Sequence, residues 1–256
     1  MSVTAEKQTV AAGSAAERPS APGRPARRGD RTDRILGPAT IGFMLAALYL
    51  VFVAVPSDAF QGPIQRIFYV HMAMWLATFT AFGIVGVASL LYLWKRALRW
   101  DHLGRASAEL GLVFCSLGLA TGSIWARPIW GTWWTWDPRL TLTLVLWMIY
   151  AAYLLLRNLS TDPQQGATLA AILGVSGVVD LYLINRAVYW WRGIHPAVIV
   201  TKQGGSGMTD PLMRVTLIVT MLAFFLLFLW LLRLRLREAR LQEGVDELRE
   251  QLAPSA

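Results

Sequence analysis

Few side chains in this sequence have types suited to chemistry. They are three histidines (His71, His102 and His195), one cysteine (Cys115) and 12 tryptophans in 256 residues. Four of the tryptophans, Trp130, Trp133, Trp134 and Trp136, fall within seven positions of the stretch "WGTWWTWDPRLT", which continues into Asp137, Pro138 and Arg139. Clustered indoles offer a broad polarizable face to a flat ligand and N–H donors at its edge. A lone cysteine rules out dithiol exchange within the chain, and Cys115 reads as a small core residue. Isolated histidines with no cysteine pair are too few for a bare metal site. Neutral imidazole does suit iron, and a haem accepts one histidine on each face while its propionates seek cations or water. The competing reading treats the indoles as an interfacial belt and the histidines as ordinary interfacial residues.

The end of the tryptophan stretch has its own local physics. Asp137 followed by Pro138 is the pattern of a helix N-cap with proline in the first helical position, where the carboxylate accepts an otherwise unpaired backbone N–H. Arg139 beside an aromatic face is able to fork onto a carboxylate, and a phospholipid phosphate is its competing partner.

The elements that must hold these groups follow from composition. At 55% hydrophobic and 16% charged, the chain reads as a membrane protein. Its apolar residues collect in six runs, 35–55, 72–94, 110–125, 140–156, 167–184 and 212–232, against about 20 residues needed to cross a bilayer core. Continuous apolarity without alternation predicts helices, because lipid cannot solvate an unpaired backbone. The expected fold is all-α and polytopic, with six transmembrane helices and a tryptophan-rich external loop over 125–141. The third, fourth and fifth runs are short and must borrow flanking residues.

Residues 1–33, rich in Ala, Pro, Gly, Ser and Arg, read as a disordered tail and not as a cleaved leader. Residues 34–232 form the membrane domain, and 233–256 read as a charged helical tail with a narrow seam of Leu241, Val245, Leu248 and Leu252. That seam fits a solvated extension of the last span or a partner-binding helix.

Basic residues set the orientation. The two tails and the loops after the second and fourth runs carry 17 Lys and Arg, against 7 in the other three loops. Both termini are therefore expected in the cytoplasm. The pI near 10.1 follows from this asymmetry and points to anionic lipid contact rather than to nucleic acid. By parity the tryptophan stretch, His71 at the start of the second span and His195 before the sixth share the external face, whereas His102 falls in a cytoplasmic loop.

With those residues in place, the sequence resembles the haem exporter protein C (CcmC) family of cytochrome c maturation. The stretch "WWTWDPRLT" is similar to the family's WWD signature, "RIFYVHMAMW" around His71 to its first histidine segment, and "VYWWRGIHPAV" around His195 to its second. The resemblance runs from about Ile35 to Leu232 and leaves out both tails. It implies that His71 and His195 are axial ligands of haem b iron. Trp130, Gly131, Trp133, Trp134, Trp136 and Asp137 become the surface for haem and chaperone, with Gly131 letting the loop turn where the ligand approaches.

The resemblance also implies presentation of haem at the periplasmic face of the inner membrane and delivery to a periplasmic haem chaperone (CcmE). Implied partners are the ABC transporter subunits CcmA and CcmB and the small single-span protein CcmD. Arg66, Arg127, Arg139, Arg186 and Arg192 are candidate propionate contacts, Arg127 and Arg139 foremost because they flank the loop. Two departures from the family pattern are Pro138 and Pro196. Six spans and the ending "RLT" separate the chain from the larger system II relative.

Two other classes are weighed against this one. A channel or secondary transporter needs ionisable groups inside its spans, and Asp180 is the one plausible group, expected near enough to the outer surface to pair with Arg186. A lipid-directed enzyme needs a nucleophile with its base or a fuller metal site, and neither is found, so the expectation is handling of haem by ligand exchange rather than catalysis.

Overall fold

A computed structural model describes residues 28–191, 193–195, 208 and 210–252. Among them the chain is helical without strands: α1 (Arg28–Tyr49), α2 (Arg66–Lys95), α3 (Leu98–Trp130), α4 (Pro138–Leu159), α5 (Pro163–Trp190) and α6 (Pro211–Leu252). All six are long and apolar enough to cross a membrane. The spans expected to be short are not, because α3 has 33 residues, α4 22 and α5 28. Their polar end turns stay helical because a backbone at membrane depth must satisfy its own hydrogen bonds.

One device starts three helices in succession. The pair Asp-Pro precedes or opens α4, α5 and α6, and the aspartate carboxylate accepts from Leu140 N (2.9 Å), Gln164 N (2.8 Å) and Leu212 N (2.6 Å) respectively. Proline in first position costs no hydrogen bond there, since that N–H has no partner inside the helix. The cap expected at Asp137 is therefore present, and it is one of three.

Helix α2 sits centrally, packed on α3, α5 and α6, while α4 pairs with α5 and α1 with α6. Phe82, Leu146, Tyr150, Tyr153 and Ile184 form a buried cluster joining α2, α4 and α5, with Phe82 stacked on Tyr150 at 3.7 Å. Met74, Ala77, Phe114 and Phe228 join α2, α3 and α6. Lipid is as apolar as these side chains, so close van der Waals packing rather than the hydrophobic effect holds such contacts.

One end of the bundle is an ion-pair belt. Asp101 takes a two-pronged bond from Arg157, with Nη2 to Oδ2 at 2.7 Å. Arg235 reaches Glu109 (3.2 Å), His102 faces Glu243 (3.3 Å), and Arg233 joins Asp33 (3.0 Å). The beginning of α1 and the latter part of α6 thus lie side by side, as an even number of spans requires.

Several expectations are corrected here. Helix α1 begins at Arg28, so 28–33 are helical, and the rest of the N-terminal tail lies outside the described residues. His102 is on α3 rather than in a loop. Residues 233–252 continue α6 without a break, as an extension of the last span. The tryptophan loop is shorter than 125–141: Trp125 to Trp130 close α3, and only 131–137 are irregular. Asp180 is buried and its Oδ2 has no partner, while Arg186 lies over the Tyr182 ring at 5.6 Å, so the expected pair is not made. Arg192, Pro196 and Lys202 lie outside the described residues.

Candidate functional site

At the end opposite the ion-pair belt, His71 and His195 line one cleft together with Trp75, Trp125, Trp130, Trp133, Trp134 and Arg139. The cleft has a cavity volume of about 100 Å³. A space walled by indoles suits the face of a flat ligand.

His71 stands one and a half turns into α2 and is 7% exposed. Its neighbour on α3 is a strip of small residues: a Cβ at Gly122 would lie 2.8 Å from the His71 ring, and one at Gly118 would lie 3.1 Å from the Trp75 ring. Glycine at these two positions lets the rings lie flat against the α3 backbone. Trp75 Nε1 donates to His71 Nε2 (2.9 Å), and His71 Nδ1 is 3.1 Å from Thr121 Oγ1. An indole N–H only donates, so Nε2 is the accepting nitrogen and Nδ1 carries the proton toward the threonine hydroxyl. Thr121 in turn donates to Leu117 O at 2.8 Å.

Two indoles connect the two histidines along one wall. His71 contacts Trp125 (6.0 Å between centroids), Trp125 contacts Trp130 (6.4 Å), and Trp130 meets His195 edge-on (5.5 Å). Trp125 is held by a bond from its Nε1 to Gln61 Oε1 (3.1 Å) in the segment between α1 and α2. The α3 helix stops at Gly131, whose φ of +75° disfavours any side chain. Beyond it the remaining indoles divide by exposure. Trp134 is half-buried, Trp133 is 57% exposed and still lines the cleft, and Trp136 is 74% exposed and does not. Trp136 packs edge-on against Trp134 at 5.8 Å.

Asp137 connects the loop, α4 and His195. Its Oδ1 caps α4, and its Oδ2 faces His195 Nδ1 at 3.8 Å, with neither atom otherwise bonded. Burial, aided by the nearby Arg139 guanidinium and opposed by Asp137, pushes the His195 imidazole down to about 4. It is therefore neutral at physiological pH, the form that binds a metal, and the 3.8 Å approach is carboxylate to imidazole rather than an ion pair. Buried polar atoms without partners are rare in folded chains. Trp134 Nε1, Asp137 Oδ2 and His195 Nδ1 are three of them on one site.

The two arginines expected to flank the site differ in role. Arg139, one residue inside α4, lines the cleft. Arg127 instead bonds the carbonyl of Gly131 and closes the end of its own helix. Arg66 donates to Phe52 O (3.0 Å), away from the cleft lining. Sequence reasoning missed Trp75, Thr121, Gly118 and Gly122. Two spacings held the signal: Trp75 follows His71 by four residues, and Gly118, Thr121 and Gly122 repeat at three and four along one face of α3.

The profile of the family described as "CcmC: Heme exporter protein C" matches residues 17–251. Proteins named "Heme exporter protein C" from Bradyrhizobium diazoefficiens and Haemophilus influenzae are each 36% identical, over 215 residues (83% of this chain and 80% of the relative) and 221 residues (82% and 88%). The Escherichia coli protein of that name is 35% identical over 188 residues, covering 71% of this chain and 73% of its own length.

Proposed function

Given that this chain belongs to the haem exporter protein C family, we propose that it binds haem b between His71 and His195 at the periplasmic face of the inner membrane and hands it to a periplasmic chaperone (CcmE). The observation that carries the reading is the single cleft in which two histidines, an indole wall and one arginine converge. Haem here is cargo, and its fit is supported by the donor set. His71 has its Nδ1 proton anchored at Thr121 and its Nε2 lone pair toward Trp75, another residue of the cleft lining. His195 is neutral, with its Nδ1 turned to the Asp137 carboxylate and, among the described residues, no hydrogen bond to its other nitrogen, the one that would take iron. Arg139 is the cation for a propionate.

The work done by the chain is binding and ligand exchange rather than catalysis. The half-buried part of the tryptophan loop stacks on the porphyrin, and the exposed rings of Trp133 and Trp136 provide the edge a chaperone reaches. The ion-pair belt lies at the cytoplasmic end, where CcmA, CcmB and CcmD are the assembly partners implied by the family. The charge asymmetry of the loops supports that orientation.

Absorption spectroscopy tests the reading. Protein purified in mild detergent from haem-replete cells is expected to show a six-coordinate, bis-imidazole haem spectrum, and His71→Ala or His195→Ala to convert or abolish it. A colourless protein, or spectra unchanged in both variants, refutes it.

A further inference from the structure

The His71 lone pair that faces the cleft is already in use. Trp75 Nε1–H donates to it at 2.9 Å, one helical turn further along α2, with the two rings edge to face (5.9 Å, 80°). The other ring nitrogen is committed to Thr121, so the histidine cannot offer iron its Nδ1 without breaking that bond. Nor are the rings free to swing toward α3, since the backbone at Gly118 and Gly122 lies directly against them. On its far side Trp75 is backed by Phe79 (5.7 Å, 33°), which also lines the cleft. Among the described residues the bond to His71 is the only hydrogen bond of the Trp75 side chain.

Iron and indole therefore compete for one electron pair. We propose that Trp75 is an internal competitor for the His71 axial position, opening when haem binds and re-forming its hydrogen bond as haem departs, so that the chain holds its cargo releasably. The inference rests on the reading of His71 as an axial ligand. The exchange moves no proton and no electron: the iron–Nε2 bond breaks, the Nε1–H···Nε2 bond forms, and iron leaves with its remaining ligands. In the loaded state the Trp75 N–H loses its acceptor inside a buried, indole-lined cleft, which weakens haem binding relative to an otherwise identical site. Trp75 is thus a positioning residue that acts through His71 rather than on iron.

The test is made on the full chain in detergent, with ferric protoporphyrin IX as probe. Trp75→Phe keeps an aromatic ring and removes the donor. It is expected to bind haem more tightly, and to release it more slowly to excess apomyoglobin, by about three- to tenfold, the worth of one neutral hydrogen bond. Replacing Trp75 by the isosteric benzothienylalanine, which has sulfur for N–H, keeps the shape of the ring should the phenyl leave a destabilising gap. The same gain is expected from it, whereas loss of packing alone would speed release. Wild-type or faster release in both variants, with haem binding lost in His71→Ala, overturns the competitor role and leaves the ligand assignment standing. Unaltered binding in His71→Ala overturns both.

Discussion

Asp137 serves two neighbours with two oxygens, and replacing it by asparagine separates the two roles. Oδ1 accepts from Leu140 N at 2.9 Å and Oδ2 faces His195 Nδ1 at 3.8 Å, from a side chain 8% exposed. Asparagine caps a helix as well as aspartate does, so Asp137→Asn keeps the start of α4 apart from a charge contribution of about 0.3–1 kcal/mol. The amide nitrogen, however, would present a donor to His195 Nδ1. That favours the tautomer with its proton on Nε2 and removes the lone pair offered to iron. Loss of such an orienting partner costs a metal site about 10- to 100-fold in affinity, or about 1.4–2.7 kcal/mol. Asp137→Ala loses both roles and is expected to lower stability by a further ~1 kcal/mol through the missing cap. Haem titration alongside thermal unfolding in detergent measures the two effects separately. Wild-type haem affinity in Asp137→Asn refutes the orienting role, and so does an affinity loss that tracks its loss of thermal stability.

Two further predictions concern charged groups. Arg139→Gln, in the cleft, is expected to weaken haem binding by about 1.5–3 kcal/mol, the scale of a charge-assisted hydrogen bond, whereas Arg127→Gln, on the helix end, leaves affinity near wild type; equal losses in a haem titration would contradict the different placements of the two side chains. Asp101→Asn removes one partner of the nearly buried pair with Arg157 and is expected to destabilise the chain by about 3–5 kcal/mol, seen as a lower unfolding temperature while folded protein keeps its haem spectrum.

Much of this site was legible because membrane insertion makes sequence informative. Lipid forces each apolar run into a helix, so run count gives span count, and span count puts residues far apart in sequence on one face. That is how His71, His195 and the tryptophan stretch were grouped, and the cleft lining includes all three. The cap at Asp137 was equally readable, because an Asp-Pro pair acts through its own next turn. Span ends were less legible: the polar turns of α3 and α5 look like loops by composition and remain helical because the backbone there satisfies its own hydrogen bonds.

Side-chain partnership was another matter, since it depends on distances between helices that no local pattern encodes. Arg127 and Arg139 look alike in sequence, and only the turn at Gly131 directs one to a carbonyl and the other into the cleft. Asp180 and Arg186 are near in sequence but not paired, for the carboxylate is buried while the guanidinium lies on Tyr182. Trp75 and Thr121 gained meaning only once α3 packed its glycines against α2, bringing the two nitrogens of His71 within reach of two different partners. The sequence by itself determined the spans and the shared face, because those depend on solvent and on local backbone chemistry. Tertiary packing decided which lone pairs are free, which are occupied and which cation faces the ligand.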